Sequence, residues 1–219
     1  MLKAWAMGHV GQEAFVMHSI SKHKNMIKDV VEIKHPFGIV SCSLDSDIYI
    51  WDIEGGIVYE LERHHKKGVI SIDYLPEFNG NIISVGFENY INVWMPEVSV
   101  VKSFIGKLEG HNSSVISAKF VQKTPYCVSI DHKLIIRVWD IRNFMCVQVL
   151  GIEAEKVLCN GLVMFGSRKK FALYGKRFIF FDTIGNKNIL TSNVNPLHEN
   201  YPIYADFNNY YHNITVITK

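Results

Sequence analysis

Apolar and polar residues alternate in short runs along the chain, and no ten-residue stretch sustains the i, i+3, i+4 spacing of an amphipathic helix. Alternation at period two buries one face of a strand and leaves the other for polar groups, so the pattern predicts an all-β molecule. Four runs end on a tryptophan. They are Leu2-Lys3-Ala4 before Trp5, Asp47-Ile48-Tyr49-Ile50 before Trp51, Tyr90-Ile91-Asn92-Val93 before Trp94, and Ile135-Ile136-Arg137-Val138 before Trp139. A fifth run, Arg177-Phe178-Ile179-Phe180, leads into Phe181-Asp182. The aromatic ends are spaced by 46, 43, 45 and 42 residues. Chance could align two of them, but not readily five.

Each interval has room for four strands. His23, His65 and His111 precede Trp51, Trp94 and Trp139 by 28, 29 and 28 residues. Between histidine and tryptophan come two strand candidates joined by a turn, at 69–74 and 81–85 in one repeat and at 115–120 and 126–130 in the next. A further run follows the tryptophan, at 57–61 and again at 146–150. Four strands per repeat of this length is the pattern of a β-propeller, one repeat to a blade.

The residues at the two ends of the repeat resemble the WD40 family. Glu109-Gly110-His111 resembles the glycine-histidine pair that opens a repeat, and Trp51-Asp52 and Trp139-Asp140 resemble the tryptophan-aspartate that closes one. The run from Ser41 to Asp52 is the best single match, and the resemblance extends over nearly all 219 residues. It implies a buried network in each blade that links the loop histidine, a strand serine, a turn carboxylate and the tryptophan indole. Carried onto this chain, the sets are His23, Ser41, Asp45 and Trp51; His65, Ser84, Glu88 and Trp94; and His111, Ser129, Asp131 and Trp139. The second set has glutamate where the family has aspartate. In the third, the aspartate lies two residues further from its tryptophan than in the first, so either the turn differs or the network is incomplete.

Serine, histidine and carboxylate together also invite a hydrolase reading. The trio recurs once per blade at a fixed offset from a tryptophan, as a scaffold element does, and no GxSxG elbow occurs. The expectation is therefore a non-enzymatic chain without cofactor or metal. The fourth repeat departs from the pattern: position 153 is glutamate, and the closing aromatic is Phe181. Its turn, Tyr174-Gly175-Lys176-Arg177, has glycine in place of a carboxylate, suited to positive φ. That blade is expected to pack through Leu162, Val163, Phe165, Phe171, Leu173, Phe178 and Phe180 alone.

The predicted divisions are 1–19 (end of a preceding blade), 20–62, 63–108, 109–150, a degenerate blade at 151–192, and 193–219 (start of a further blade, opened by His198). The expected architecture is thus about four full blades with partial blades at both ends. Three ways of closing it follow: further blades in a larger propeller, a five-bladed ring with a composite blade, or an arc completed by a partner. The first is preferred; seven blades at this period require roughly 300 residues, so about a third would be missing.

Composition narrows the partners. Net charge is only +2 and the lysines are dispersed, so nucleic acid, which calls for a concentrated basic stripe, is not expected. The densest basic stretch, Lys169, Lys170, Lys176 and Arg177, reads as a solvated edge. Tyr201, Tyr204, Tyr210 and Tyr211 read as strand and turn residues rather than a base-stacking surface. Cys42, Cys127, Cys146 and Cys159 form no CxxC pair. His64-His65 reads as two opposite strand faces rather than a ligand pair. No apolar run reaches 18 residues, and the first residues do not form a secretory signal, so an intracellular, reducing location away from the membrane is expected.

The resemblance implies a rigid scaffold that docks several proteins in a large assembly. Loops joining one blade to the next carry much of that docking, here Arg63, His64, Lys66, Lys67, Asn112 and Ser113. Runs 109–116 and 139–146 are similar to repeats of large cilia- and flagella-associated WD40 proteins, some of which also carry EF-hands; no calcium-loop pattern occurs here. The leading specific expectation is a cytoplasmic or axonemal scaffold with tubulin or axonemal proteins as partners. A substrate-recognition subunit in ubiquitin ligation, or a factor in RNA processing or ribosome assembly, is the alternative; the former calls for a second domain such as an F-box, the latter for a focused basic face.

Overall fold

Among the described residues every regular element is a β-strand. The structure, a computed structural model, describes residues 2–6, 15–34, 37–78, 80–96, 102–152, 159–165, 170–175, 179–181, 202–208 and 213–218. Blade 1 is β3 (Ile27–Ile33), β4 (Gly38–Ser43), β5 (Ile48–Asp52) and β6 (Ile57–Glu60), hydrogen-bonded in chain order. Blade 2 is β7 (Val69–Leu75), β8 (Asn81–Gly86), β9 (Tyr90–Trp94) and β10 (Phe104–Glu109). Blade 3 is β11 (Val115–Phe120), β12 (Tyr126–Asp131), β13 (Ile135–Asp140) and β14 (Met145–Gly151). In blade 4 the described strands are β15 (Cys159–Phe165), β16 (Lys170–Gly175) and β17 (Ile179–Phe181). Two separate antiparallel pairs flank these sheets, β1 (Leu2–Ala6) with β2 (Phe15–Ile20) and β18 (Pro202–Asn208) with β19 (Asn213–Thr218). This is the WD40-type propeller architecture.

One device recurs in every first strand. The register of β3, β7, β11, β15 and β18 slips by a residue near its start, so that Lys28, Ile70, Ile116, Asn160 and Ile203 are skipped in the strand register. A bulge bends the strand and increases its local twist. The five first strands therefore share one shape, including that of the degenerate fourth blade. A second slip falls beside Trp94 and Trp139 where the third and fourth strands pair, and β1 slips likewise beside Trp5.

Burial concentrates between blades rather than within them, because a single sheet has no second layer of its own. Cys42, Ile48 and Ile50 of blade 1 pack with Ile72, Ile82 and Trp94 of blade 2. Val85, Ile91 and Val93 of blade 2 pack with Phe120, Cys127 and Trp139 of blade 3. Val128, Ile130 and Val138 of blade 3 meet Leu162, Phe171 and Leu173 of blade 4. Val163, Ala172 and Tyr174 then meet Ala205 on β18, with Phe165 against them. Trp94 and Trp139 are thus wedges, each between its own blade and the one before.

Several details differ from the sequence expectation. Gly175 is the last residue of β16, paired opposite Cys159 in extended conformation, rather than a positive-φ turn residue. β10 and β14 run to Glu109 and Gly151, one residue past the expected blade ends. Asn79, Glu153, Lys169, Lys176, Arg177, Phe178, Asp182, His198, Tyr201, Tyr210 and Tyr211 lie outside the described residues.

Candidate functional site

The three sets of network residues take up three versions of one relay. In blade 3 the Trp139 indole Nε1–H donates to Ser129 Oγ at 2.8 Å, and Ser129 Oγ lies 2.7 Å from His111 Nε2. His111 Nδ1 lies 3.0 Å from Asp131 Oδ2. Donor chemistry fixes the direction. Indole can only donate, so the serine oxygen accepts from it and its own proton goes to a bare Nε2. The remaining histidine proton, on Nδ1, goes to the carboxylate. The neutral Nδ1–H tautomer alone satisfies every member.

Blade 2 repeats the chain, with Trp94 Nε1 to Ser84 Oγ at 2.8 Å, Ser84 Oγ to His65 Nε2 at 2.8 Å, and His65 Nδ1 to Glu88 Oε2 at 3.1 Å. In blade 1, His23 Nε2 lies 2.9 Å from Ser41 Oγ and Nδ1 lies 3.1 Å from Asp45 Oδ2. Trp51 is buried on β5 opposite Ile39, the register that Trp94 has with Ile82 and Trp139 has with Cys127.

The offset of Asp131 is resolved by a different turn, and the relay is complete. Asp131 is the end residue of β12, opposite Val115, and its Oδ1 accepts the amides of Lys133 and Ile135 at 2.9 and 3.0 Å. The matching strand position in blade 2 is Gly86, and its carboxylate comes from Glu88 in the turn beyond. A Cβ at Gly86 would stand 2.6 Å from the Glu88 carboxylate, 3.0 Å from His65 Nδ1 and 2.2 Å from Gly68 O. The carboxylate thus arrives either from the strand end or from the turn. When it comes from the turn of blade 2, the strand end must be bare. Gly86 was missed in the sequence, although its glycine beside an off-pattern glutamate is a readable signal.

In blades 1 and 2 the carboxylate also ties down the loop before its blade. Asp45 accepts the amide of Lys24, and Glu88 accepts those of Lys66 and Lys67. Burial opposes the Glu88 charge, but the bonds from His65 and the Lys66 amide outweigh it and hold the carboxyl down at about 2. Asp45 is lowered too, the Lys24 and Asp47 amides and His23 overcoming its burial. His111 goes the other way for a histidine facing a carboxylate: burial depresses its pKa, with Asp131 pulling against it.

The trios of blades 2 and 3 are not placed to present a nucleophile. Ser84 and Ser129 are 0% exposed, and each oxygen already accepts an indole proton. A serine so placed meets no substrate, and its geometry serves packing.

The expected docking residues divide. Arg63 reaches back to Asp47, its Nε donating to Oδ1 at 2.8 Å. His64 stacks on Phe104 at 3.7 Å with Nε2 3.2 Å from Glu62, separate from the buried His65. The side chains of Lys66, Lys67 and Asn112 are exposed, and Ser113 is half-buried. Among the described residues no cluster of histidine, cysteine or acidic groups could hold a metal ion, and no helix is long and apolar enough to cross a membrane.

Sequence reasoning missed a second polar set on the innermost strands. Asp29 of blade 1 accepts the Ile72 amide and the Ser71 hydroxyl of blade 2 at 3.1 and 3.2 Å. Asp73 of blade 2 accepts the Phe120 amide of blade 3 at 2.6 Å. Lys119 of blade 3 donates back to Ile72 O at 2.9 Å, with Asp29 and Asp73 at 3.6 and 3.8 Å. Charged residues interrupting apolar first strands were the signal. These ties border a central cavity of about 450 Å³, whose lining includes the bulge residues Lys28, Ile70, Ile116 and Asn160.

No family model matches the chain. It is 27% identical over 136 residues to cilia- and flagella-associated protein 337 B of Tetrahymena thermophila, covering 61% of this chain and 10% of that protein. It is 28% identical over 141 residues to nuclear distribution protein nudF of Emericella nidulans, covering 63% and 31%. It is 25% identical over 133 residues to a probable coatomer subunit beta' of Schizosaccharomyces pombe, covering 58% and 16%. The chain therefore spans from about a tenth to about a third of the length of these relatives. They are WD-repeat proteins, and they support the WD40 family for this chain.

Proposed function

We propose that this chain is part of a non-enzymatic docking scaffold in a multiprotein assembly, with the ciliary axoneme as the specific setting. The observation that carries the reading is the relay in blades 2 and 3. It commits serine, histidine and carboxylate to internal bonds, and so turns reactive groups into struts that hold the loops carrying Lys66, Lys67 and Asn112. Rigid loops on a stiff scaffold lose little freedom when a partner binds. The similarity to a cilia- and flagella-associated protein supports the axonemal setting, with tubulin and other axonemal proteins as partners. The location is then cytoplasmic, at the cilium or flagellum.

Purification from native material followed by cross-linking mass spectrometry tests this. Cross-links from Lys66 and Lys67 to tubulin or axonemal proteins are expected. Recovery with ubiquitin-ligase or pre-ribosomal subunits instead would overturn the axonemal setting.

A further inference from the structure

Among the described residues, the outermost strand of each full blade has one edge that no other strand pairs. Such edges recruit other strands unless they are short, charged or covered. β6 is short, four residues ending on Glu60. β10 carries Lys107 and Glu109, with the Lys107 ammonium 4.1 Å over the Tyr90 ring. β14 has neither safeguard. It runs seven residues, Met-Cys-Val-Gln-Val-Leu-Gly, without a charge or a proline. Met145, Val147 and Val149 on it are 59%, 53% and 52% exposed.

Beside that edge lies a cation that meets no counter-charge among the described residues. The position two residues before the closing tryptophan is Tyr49 in blade 1, edge-on to His23, and the fully buried Asn92 in blade 2. In blade 3 it is Arg137, paired across the sheet with Val149 and so on the same face. Its Nη1 donates to Cys146 Sγ on β14 at 3.4 Å, and the guanidinium lies 5.8 Å from the Trp139 ring. Nε is buried without an acceptor, and among the described residues no carboxylate is within ion-pair reach of Arg137. A half-buried charge without a counter-charge is costly, and a carboxylate brought to it is favoured accordingly.

The geometry points to β14 as a strand-addition edge for an extended segment of a partner protein, with a carboxylate facing Arg137 and aliphatic side chains covering Val147 and Val149. Main-chain pairing along β14 supplies affinity, and alternate side chains supply selectivity. A second copy of this chain is a poorer occupant. It would bring its own β14, which has no carboxylate to offer Arg137. The surface is distinct from the loops between blades and rests only on the reading that this propeller docks proteins.

The probe is a fluorescently labelled, capped heptapeptide, Thr-Val-Thr-Glu-Thr-Val-Thr, titrated against the full chain by anisotropy. Saturable binding is expected, weakened about tenfold or more by Val149→Lys or by lysine for the peptide's glutamate. Ile105→Lys on β10 should leave it unchanged, and hydrogen exchange should slow along β14 alone. Arg137→Gln should erase the preference for glutamate over lysine, with thermal unfolding confirming that the variant is folded. Equal binding of the two peptides, or binding that survives Val149→Lys, would overturn the proposal. Sedimentation showing a dimer that Val149→Lys dissociates would assign the edge to a second copy instead. Failure to recover axonemal proteins from native material leaves this titration untouched, so the two readings fail separately.

Discussion

Blades 3 and 4 have the same strand order and the same first-strand bulge, yet their interiors are held differently. Where blade 3 has Ser129 opposite Ala118, blade 4 has Leu173 opposite Leu162. Where blade 3 closes on Trp139 opposite Cys127, blade 4 closes on Phe181 opposite Phe171. Serine accompanies the aromatic that has an N–H, and leucine accompanies the one that lacks it. Asp131 at the strand end becomes Gly175 in step. The relay is therefore kept or lost as a set. Any surviving member would be a buried polar group without a partner, at a cost of roughly 1–3 kcal/mol each. The bulge belongs to the backbone and stays in both.

The comparison breaks most visibly at Asp131. Asp131→Ala leaves the His111 Nδ1–H and the Lys133 and Ile135 amides without their acceptor. A loss of about 3 kcal/mol or more in denaturant unfolding is expected, with hydrogen exchange rising in blade 3. A loss below about 0.5 kcal/mol would mean that the relay contributes nothing blade 4 lacks.

Acid separates the blades next. His111 is depressed in the fold by burial, so its contribution is present above the unfolded value of about 6.5 and is lost as pH falls through the folded one. Glu88, held at about 2, contributes above the unfolded value of about 4.3 and is lost as pH falls toward 2. Melting temperature should therefore decline below about pH 6.5 and decline more steeply below about pH 4.3, and Glu88→Gln should flatten the lower part. Amide exchange in blades 2 and 3 should respond to acid more than in blade 4. A flat profile down to about pH 3 would contradict the assigned tautomers.

Most of this architecture was legible in the sequence, because it rests on period. Tryptophans and histidines at regular intervals locate the strands, and donor chemistry then orders the relay. What could not be read depends on where a backbone passes. Asp131 looked misplaced because residue counting cannot distinguish a strand-end carboxylate from one in a turn; only the pairing of Asp131 with Val115 does. Gly175 looked like a turn residue, yet it completes a strand. The ties from Asp29 and Asp73 join residues some 40 positions apart on neighbouring blades, and no local pattern announces them. Arg63 looked free for a partner, but Asp47 holds it.

The smallest expected effect tests the central claim most directly: that serine and tryptophan are one unit in blade 3 and were replaced as one unit in blade 4. Ser129→Ala, Trp139→Phe and the double variant form a thermodynamic cycle read by denaturant unfolding. The lost volume of the indole appears in both tryptophan variants and cancels. A coupling of about 1 kcal/mol is expected, the double variant being more stable than the two single losses added together. Additivity within about 0.3–0.5 kcal/mol would show that the indole proton does not depend on Ser129. The paired exchange to leucine and phenylalanine in blade 4 would then have no physical cause in the relay.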